Sequence, residues 1–290
     1  MGALTLRVVE CGHTTLDHEL ALTGHPDRIT QVGRPSRQVG ELRHPIYAYL
    51  IEHTEGRILV DTGVSANFKA EWREGFYRDA MSYDPGPDGL LPQRLEQLGL
   101  SPADIGHVVV THLHTDHAGN VRMFAPTNTR IYVGEGELRG CATTKGGLLR
   151  DDLLTIWGVT SPQGFTRADF SCLLPDRAVQ VFADFELLPG VWVITLPGHT
   201  WGTLGVAVRL PQTGWVLIAS DTIYLADSWG ERFVPSLLHH NLEIWAHSAH
   251  KVRRLADRYA MTVLPGHDNR AIRRLQDGGY EICDVAETYA

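Results

Sequence analysis

HVVVTHLHTDH, residues 107–117, decides how this 290-residue chain is read. Three consecutive valines make a compact strand of the kind buried on both faces. Where that strand runs out, His112 and His114 fall on one side, because side chains alternate with period two. A tight turn after them can bring Asp116 and His117 to an adjacent position. Imidazole nitrogens and carboxylate oxygens are the ordinary ligands of a borderline cation such as Zn²⁺. Four such groups in six residues are costly to bury without one.

Three more groups of the same chemistry stand where other strands end: His199 in LPGHT, Asp221 in IASDT and His267 in LPGHD. Each Pro-Gly-His follows an apolar run, and a glycine there lets the backbone turn sharply at a sheet edge, where active sites collect. Together with the central motif this makes seven candidate ligands, enough for two metal ions with a water between them. The remaining histidines have simpler readings. His247 and His250 share a helical face with Glu243 and are expected to be solvated, and His239-His240 reads as a loop pair.

Further out, LTLRVV (4–9), IYAYLIE (46–52) and RILVDTG (57–63) are β-branched and aromatic runs, the last two joined by the hairpin connection HTEG. DPGPDG (84–89) breaks the chain before a helix carrying Leu91, Leu95 and Leu98, which Gly99 can stop. RIYVG (130–134) is a strand with a helix at EGELRG. AVQVFAD, VWVITLPG, TLGVAVRL, WVLIASD and MTVLPGHD are strands of the second half, and the last two flank a helix with Leu242, Trp245, Ala249, Val252, Ala256 and Tyr259 on one face. Residues 19–45 and 141–180 read as loop excursions, the second placed to lie over a pocket. The sequence therefore predicts an α/β protein in layers, with sheets in the middle and helices outside.

Composition narrows the classes. Hydrophobic residues are 43% and charged residues 21%, as in ordinary globular proteins. The balance of 26 basic against 34 acidic residues, net −8, disfavours a nucleic-acid partner. Membrane association is not expected either, because no apolar run approaches the length of a bilayer span. Four scattered cysteines without a CxxC pair suit reduced thiols, and the expected location is cytoplasmic.

THLHTDH, the DTG at 61–63, PGHT, ASD and PGHD are similar, in identity and in order over residues 4–268, to the defining motifs of the metallo-β-lactamase fold superfamily. The resemblance implies an αββα four-layer sandwich, two mixed β-sheets with helices outside, formed by residues 1–290 as a single hydrolase domain. It implies a dinuclear centre in which His112, His114 and His199 hold one metal, Asp116, His117 and His267 hold the other, and Asp221 bridges them. Asp61 would orient a ligand histidine without touching metal. The ions would be two divalent cations, Zn²⁺ first, with Mn, Fe or Co also accepted by such a set.

Two features resemble the N-acyl homoserine lactonase branch. Tyr224 follows Asp221 by three residues in DTIY, and CGHTTLDH (11–18) follows the first strand, making Asp17 and His18 pocket candidates. YAYLIEHTEGRILVDTG also pairs well with that branch. The chain departs from the branch at Thr115, where an aromatic is common, and in TWGT after His199, where another histidine is common. The implied activity is opening of the lactone ring of N-acyl homoserine lactones, which is quorum quenching, by attack of a hydroxide shared by the two ions. Tyr224 would stabilise the oxyanion and Asp116 would shuttle the proton. The alternative is a metallo-hydrolase of another small lactone, ester or thioester. Trp157 and Phe165, with Leu148 and Leu149, are candidates for a wall against the acyl chain, and the 19–45 insertion is a candidate homodimer contact.

Overall fold

The computed structural model describes residues 4–22, 40–71, 81–86, 89–143, 165, 167–173, 177–230, 233–268, 270, 272–274 and 280–282. Its strands in chain order are β1 (Thr5–Asp17), β2 (Glu41–His53), β3 (Gly56–Val60), β4 (Met81–Asp84), β5 (His107–Val109), β6 (Arg130–Gly134), β7 (Ala178–Val181), β8 (Phe185–Leu188), β9 (Val191–Thr195), β10 (Leu204–Leu210), β11 (Gly214–Ser220) and β12 (Thr262–Pro265). A seven-stranded sheet runs β4-β1-β2-β3-β5-β6-β7 and a five-stranded sheet runs β12-β11-β10-β9-β8. Both are mixed: β3, β5, β6 and β7 pair in parallel, as do β11 and β12, and the other pairs are antiparallel. A small ribbon of β13 (Ile272–Arg274) and β14 (Tyr280–Ile282) lies beyond them.

Alternation along the strands assembles the layers. Tyr47, Tyr49 and Ile51 of β2, Ile58 and Val60 of β3, and Val109 of β5 join the core shared with Val193, Val206 and Leu217 of the second sheet. Their neighbours Ile46, Ala48, Leu50, Leu59 and Val108 enter a separate core with Leu91, Leu95, Phe124 and Leu138, on the outer face of the first sheet. On the far side, the helix Leu242–Tyr259 packs Trp245, Ala249 and Val252 onto the second sheet, and its N-terminus is capped by Asn241 Oδ1 accepting from Ile244 N at 3.0 Å. Helix, sheet, sheet, helix is the predicted αββα order.

Several sequence readings are corrected. The helix face is narrower than expected: Leu242 and Tyr259, at its two ends, are 54% and 44% exposed. The first excursion is shorter than 19–45, since His18–Ala21 forms a helical turn and residues 41–45 belong to β2. Residues 23–39, where a dimer contact was expected, lie outside the described residues. The second excursion is also partly regular, with a helix over Glu135–Thr143 entering it, Arg167–Phe170 helical within it and β7 leaving it. Trp157, Leu148 and Leu149 lie outside the described residues.

β1 carries one extra residue where it passes β2, for Glu10 pairs with Tyr47 but His13 pairs with Pro45. Pro45 has no N–H to give a ladder, and a bulge is where a central strand tolerates it. No described helix is long and apolar enough to cross a membrane.

Candidate metal centre

The central motif splits between two elements. His112 and Leu113 continue from β5, and Thr115–Ala118 closes into a short helical turn whose amides His117 N and Ala118 N return to His114 O. This turn is tied to the DTG loop: Thr62 N and Oγ1 both donate to His117 O, at 2.7 and 2.8 Å, and Asn120 Nδ2 donates to Thr62 O and Val64 O. Glu137, buried, accepts from Leu113 N at 3.1 Å and from Gly202 N at 2.7 Å, joining the motif to the loop after His199. Burial raises the Glu137 pKa to about 7 against these bonds.

All seven predicted ligands converge, and all are buried. His114 Nδ1 lies 3.0 Å from both His112 Nε2 and His199 Nε2. Asp221 Oδ2 is 3.1 Å from His199 Nε2 and 3.8 Å from His112 Nε2. Asp221 Oδ1 faces the other way, 3.2 Å from His267 Nε2 and 3.4 Å from His117 Nε2. Asp116 Oδ2 completes that side, 3.6 Å from His267 Nε2 and 3.7 Å from His117 Nε2. The result is two groups, His112/His114/His199/Asp221 and Asp116/His117/His267, with one carboxylate oxygen of Asp221 turned to each.

These donors fit divalent cations. Ligand atoms about 3.3 Å apart are what a tetrahedral ion with bonds of about 2.05 Å requires. His117 Nε2, His267 Nε2 and Asp221 Oδ1 are buried and have no hydrogen-bond partner among the described residues. Orphaned polar atoms aimed at one point are what a cation would satisfy, once any proton on the imidazoles is displaced. Three of the five imidazoles are also fixed from behind. His117 Nδ1 bonds Asp61 Oδ2 at 2.8 Å, and His267 Nδ1 donates to Pro45 O at 2.9 Å. His199 Nδ1 lies 3.1 Å from His239 Nδ1. Asp61 also accepts from Thr111 N and Oγ1, at 2.7 and 2.8 Å, so both its oxygens are engaged by hydrogen bonds and it stands in neither ligand group. Its backbone sits at φ 60, a conformation these three bonds hold in place.

Charge follows the same division. Burial, then the neighbouring imidazoles, push His112 and His114 well below the usual histidine range. Burial opposes charge on His117 too, but Asp116, Asp221 and Asp61 outweigh it and raise its pKa to about 10. Burial would raise Asp221, yet His267, His117 and His199 hold it well below the carboxylate range.

The two Pro-Gly-His turns need glycine for different reasons. Gly198 has φ 128, the sharp turn predicted from sequence. Gly266 does not have such a φ; it is needed because a Cβ there would stand 2.4 Å from Asp221 Oδ1.

Tyr224 lies over both groups, its ring centroid 4.6 Å from that of His267 and 6.4 Å from that of His199. Its hydroxyl is 3.1 Å from His44 Nε2, and burial raises its pKa well above the usual tyrosine value. The ring also packs with Leu16, Ala21, Leu22 and Leu225, the same cluster that seats the end of β1 where Asp17 and His18 stand. Phe165 reaches the centre, its ring 4.7 Å from that of His114 and 5.5 Å from that of Trp201. His247 and His250 are exposed, as read from sequence.

Sequence reasoning missed His44 and His239. A lone histidine before Pro45 carries no motif, and the loop pair at 239–240 carries none either. His239 is stacked on Trp245, ring centroids 4.5 Å apart, and Trp245 Nε1 donates to Thr222 O at 2.8 Å. The long helix thus reaches the candidate ligand His199 through two aromatic side chains.

An αββα sandwich with two His/Asp groups at one edge of its sheets defines a metal-dependent hydrolase class, and divalent metals are what its donor set takes. The sequence profile described as the metallo-beta-lactamase superfamily matches residues 43–267, and the chain belongs to that superfamily. N-acyl homoserine lactonase AiiB of Agrobacterium fabrum is 32% identical over 244 residues, covering 82% of this chain and 85% of the relative. An N-acyl homoserine lactonase of Bacillus thuringiensis is 28% identical over 192 residues, covering 65% of this chain and 68% of that one. Among solved structures, an N-acyl homoserine lactone hydrolase with the product N-hexanoyl-L-homoserine at its catalytic metal centre superposes with a TM-score of 0.71. It is 22% identical and covers 93% of this chain and 95% of that one.

Proposed function

We propose that this chain is a dinuclear hydrolase that opens the lactone ring of N-acyl homoserine lactones, with residues 1–290 working as one catalytic domain. The observation that carries this reading is the split of Asp221, one oxygen to each ligand group, with the Tyr224 ring beside both. The lactonase relatives support the substrate class.

His112, His114 and His199 would hold one cation, and Asp116, His117 and His267 the other. Zinc is the preferred ion for so imidazole-rich a set. When bound, such a pair supplies Lewis acidity and a water of lowered pKa. The chain's own groups do the rest. Asp61 fixes the His117 ring, and Tyr224 donates a hydrogen bond to the oxyanion that forms as water adds to the lactone carbonyl. Asp116 takes the proton from that water and passes it to the ring oxygen as the C–O bond breaks, so one water is consumed and one hydroxy acid leaves. A cavity of ≈ 280 Å³ opens beside the His199 loop, lined by Pro197, Trp201 and Ile244 together with Arg139, Thr200 and Asn241, and is a candidate seat for the acyl chain. Asp17 and His18 would line the pocket from the β1 side. The buried free thiol of Cys11, whose pKa burial raises to about 12, suits a reducing cytoplasm.

The test is proton release on adding a long-chain N-acyl homoserine lactone to zinc-loaded protein, beside a chelated sample. Metal-dependent acidification supports the reading. Its absence with two metals bound per chain moves the substrate to another ester class. Asp116→Asn should keep the fold while losing most turnover, and full turnover in that variant would remove the proton shuttle.

A further inference from the structure

We infer that His44 makes the Tyr224 hydroxyl a hydrogen-bond donor toward the substrate, by giving its own Nε2 proton to the Tyr224 oxygen. The inference rests on the lactonase reading above for the identity of the substrate, and on geometry for the rest.

His44 is 2% exposed in β2, its Nε2 3.1 Å from Tyr224 Oη, and its Nδ1 has no hydrogen-bond partner among the described residues. A neutral imidazole carries one N–H and one bare nitrogen, so two arrangements are open. With the proton on Nδ1, a buried N–H is left without an acceptor, and Tyr224 spends its only proton on His44 Nε2. With the proton on Nε2, the orphan is merely a lone pair, and Tyr224 receives a hydrogen bond while its own O–H stays free. A buried N–H without a partner is the rarer and costlier defect. The second arrangement is therefore the one the structure holds.

The consequence bears on the reaction. A tyrosine whose proton is committed to a histidine cannot also stabilise an oxyanion, whereas one that accepts from the histidine can. The donated bond also fixes the phenol oxygen in place, so the free O–H needs only to rotate about its C–O bond to meet the substrate. The adjoining residue does parallel work, for the carbonyl of Pro45 takes the Nδ1 proton of His267 at 2.9 Å. The His44 and His267 rings meet edge-on, centroids 4.6 Å apart. One two-residue segment of β2, His44-Pro45, thus places a ligand histidine and sets the hydrogen-bond direction of the tyrosine beside it. His44 is a positioning residue, acting through Tyr224 rather than on the lactone.

The experiment compares His44→Leu and His44→Gln, each alone and with Tyr224→Phe, and reads kcat, KM, metal content and the ¹⁵N spectrum of the imidazole rings. The spectrum is recorded on the metal-free and zinc-loaded full chain, with the His44 signals assigned from their loss in His44→Gln. Expected is a neutral His44 protonated on Nε2. His44→Leu should lower kcat about tenfold, the loss of one buried hydrogen bond, with KM and two metals per chain unchanged. His44→Gln, which keeps an N–H at similar reach, should restore most of it. In Tyr224→Phe, His44→Leu should change nothing further. A ring protonated on Nδ1 overturns the inference, as does an equal loss with and without the Tyr224 hydroxyl, or a loss that follows metal content and is not restored by Gln. If the wild-type chain opens no lactone, the functional reading fails, and the ring spectrum alone decides: Nε2–H supports the inference and Nδ1–H overturns it.

Discussion

The two ligand groups share Asp221 but differ in what surrounds them. In the first, three imidazole nitrogens face one another across 3.0 Å contacts, and burial with mutual repulsion drives His112 and His114 well below the usual histidine range. In the second, the carboxylates of Asp116, Asp221 and Asp61 outweigh burial and keep a proton on His117 up to about pH 10. His112 and His114 are therefore neutral near neutral pH and ready for a cation. The second neutralises itself in the metal-free chain, and a cation must displace a proton to enter.

Removing what they share should do most. Asp221→Ala leaves both groups without a bridging carboxylate. Metal per chain, read by elemental analysis, should fall well below two, and turnover should be lost nearly completely. A variant that kept two metals would mean the groups are independent. Asp61→Ala should act on one side only. It frees the His117 ring and strips Thr111 N of its acceptor, so second-site affinity should drop about 10–100-fold while the first site still fills. Chelator competition distinguishes the two, and equal weakening of both would erase the distinction. His239→Ala is the mirror experiment, loosening His199 and so the first site, with an effect near the lower end, about tenfold. Rescue by His239→Asn, which keeps a side-chain acceptor near the His199 Nδ1 proton, would identify the hydrogen bond as the cause.

The smallest effect is on stability against pH. The folded-state pKa of His117 lies above the ordinary value of 6.5, so its stabilisation is complete below that pH and fades as pH rises through about 10. The melting temperature of chelated protein should fall across that window relative to Asp61→Ala, and metal uptake should release a proton that calorimetry in buffers of different ionisation enthalpy can count. A pH-independent difference would mean that Asp61 does not contribute to the raised His117 pKa.

The seven candidate ligands were legible in the sequence because each stands in or just after a strand end, and Asp61 was legible only through the resemblance of its DTG motif to the superfamily. Period-two alternation made the strands legible in the same way, and β2, β3 and β5 divide their residues between two cores as alternation requires. The ends of elements were less legible. Leu242 and Tyr259 continue the helical spacing of Trp245 and Ala249, yet they overhang the sheet and meet solvent. Residues 41–45 lack a β-branched run, but they pair with the end of β1 beyond the bulge.

His44, His239 and Glu137 mark the limit. Nothing adjacent in sequence distinguishes them, since their partners lie far along the chain: Tyr224 is 180 residues from His44, His199 is 40 from His239, and Gly202 is 65 from Glu137. Sequence alone determined which residues could bind metal, because ligand chemistry and strand-end turns are local properties. Only the tertiary structure decided how Asp221 divides its oxygens and which ring nitrogens remain free. It also decided which group supports Tyr224, because hydrogen bonds depend on distance and direction between atoms that only the packed sheets bring together.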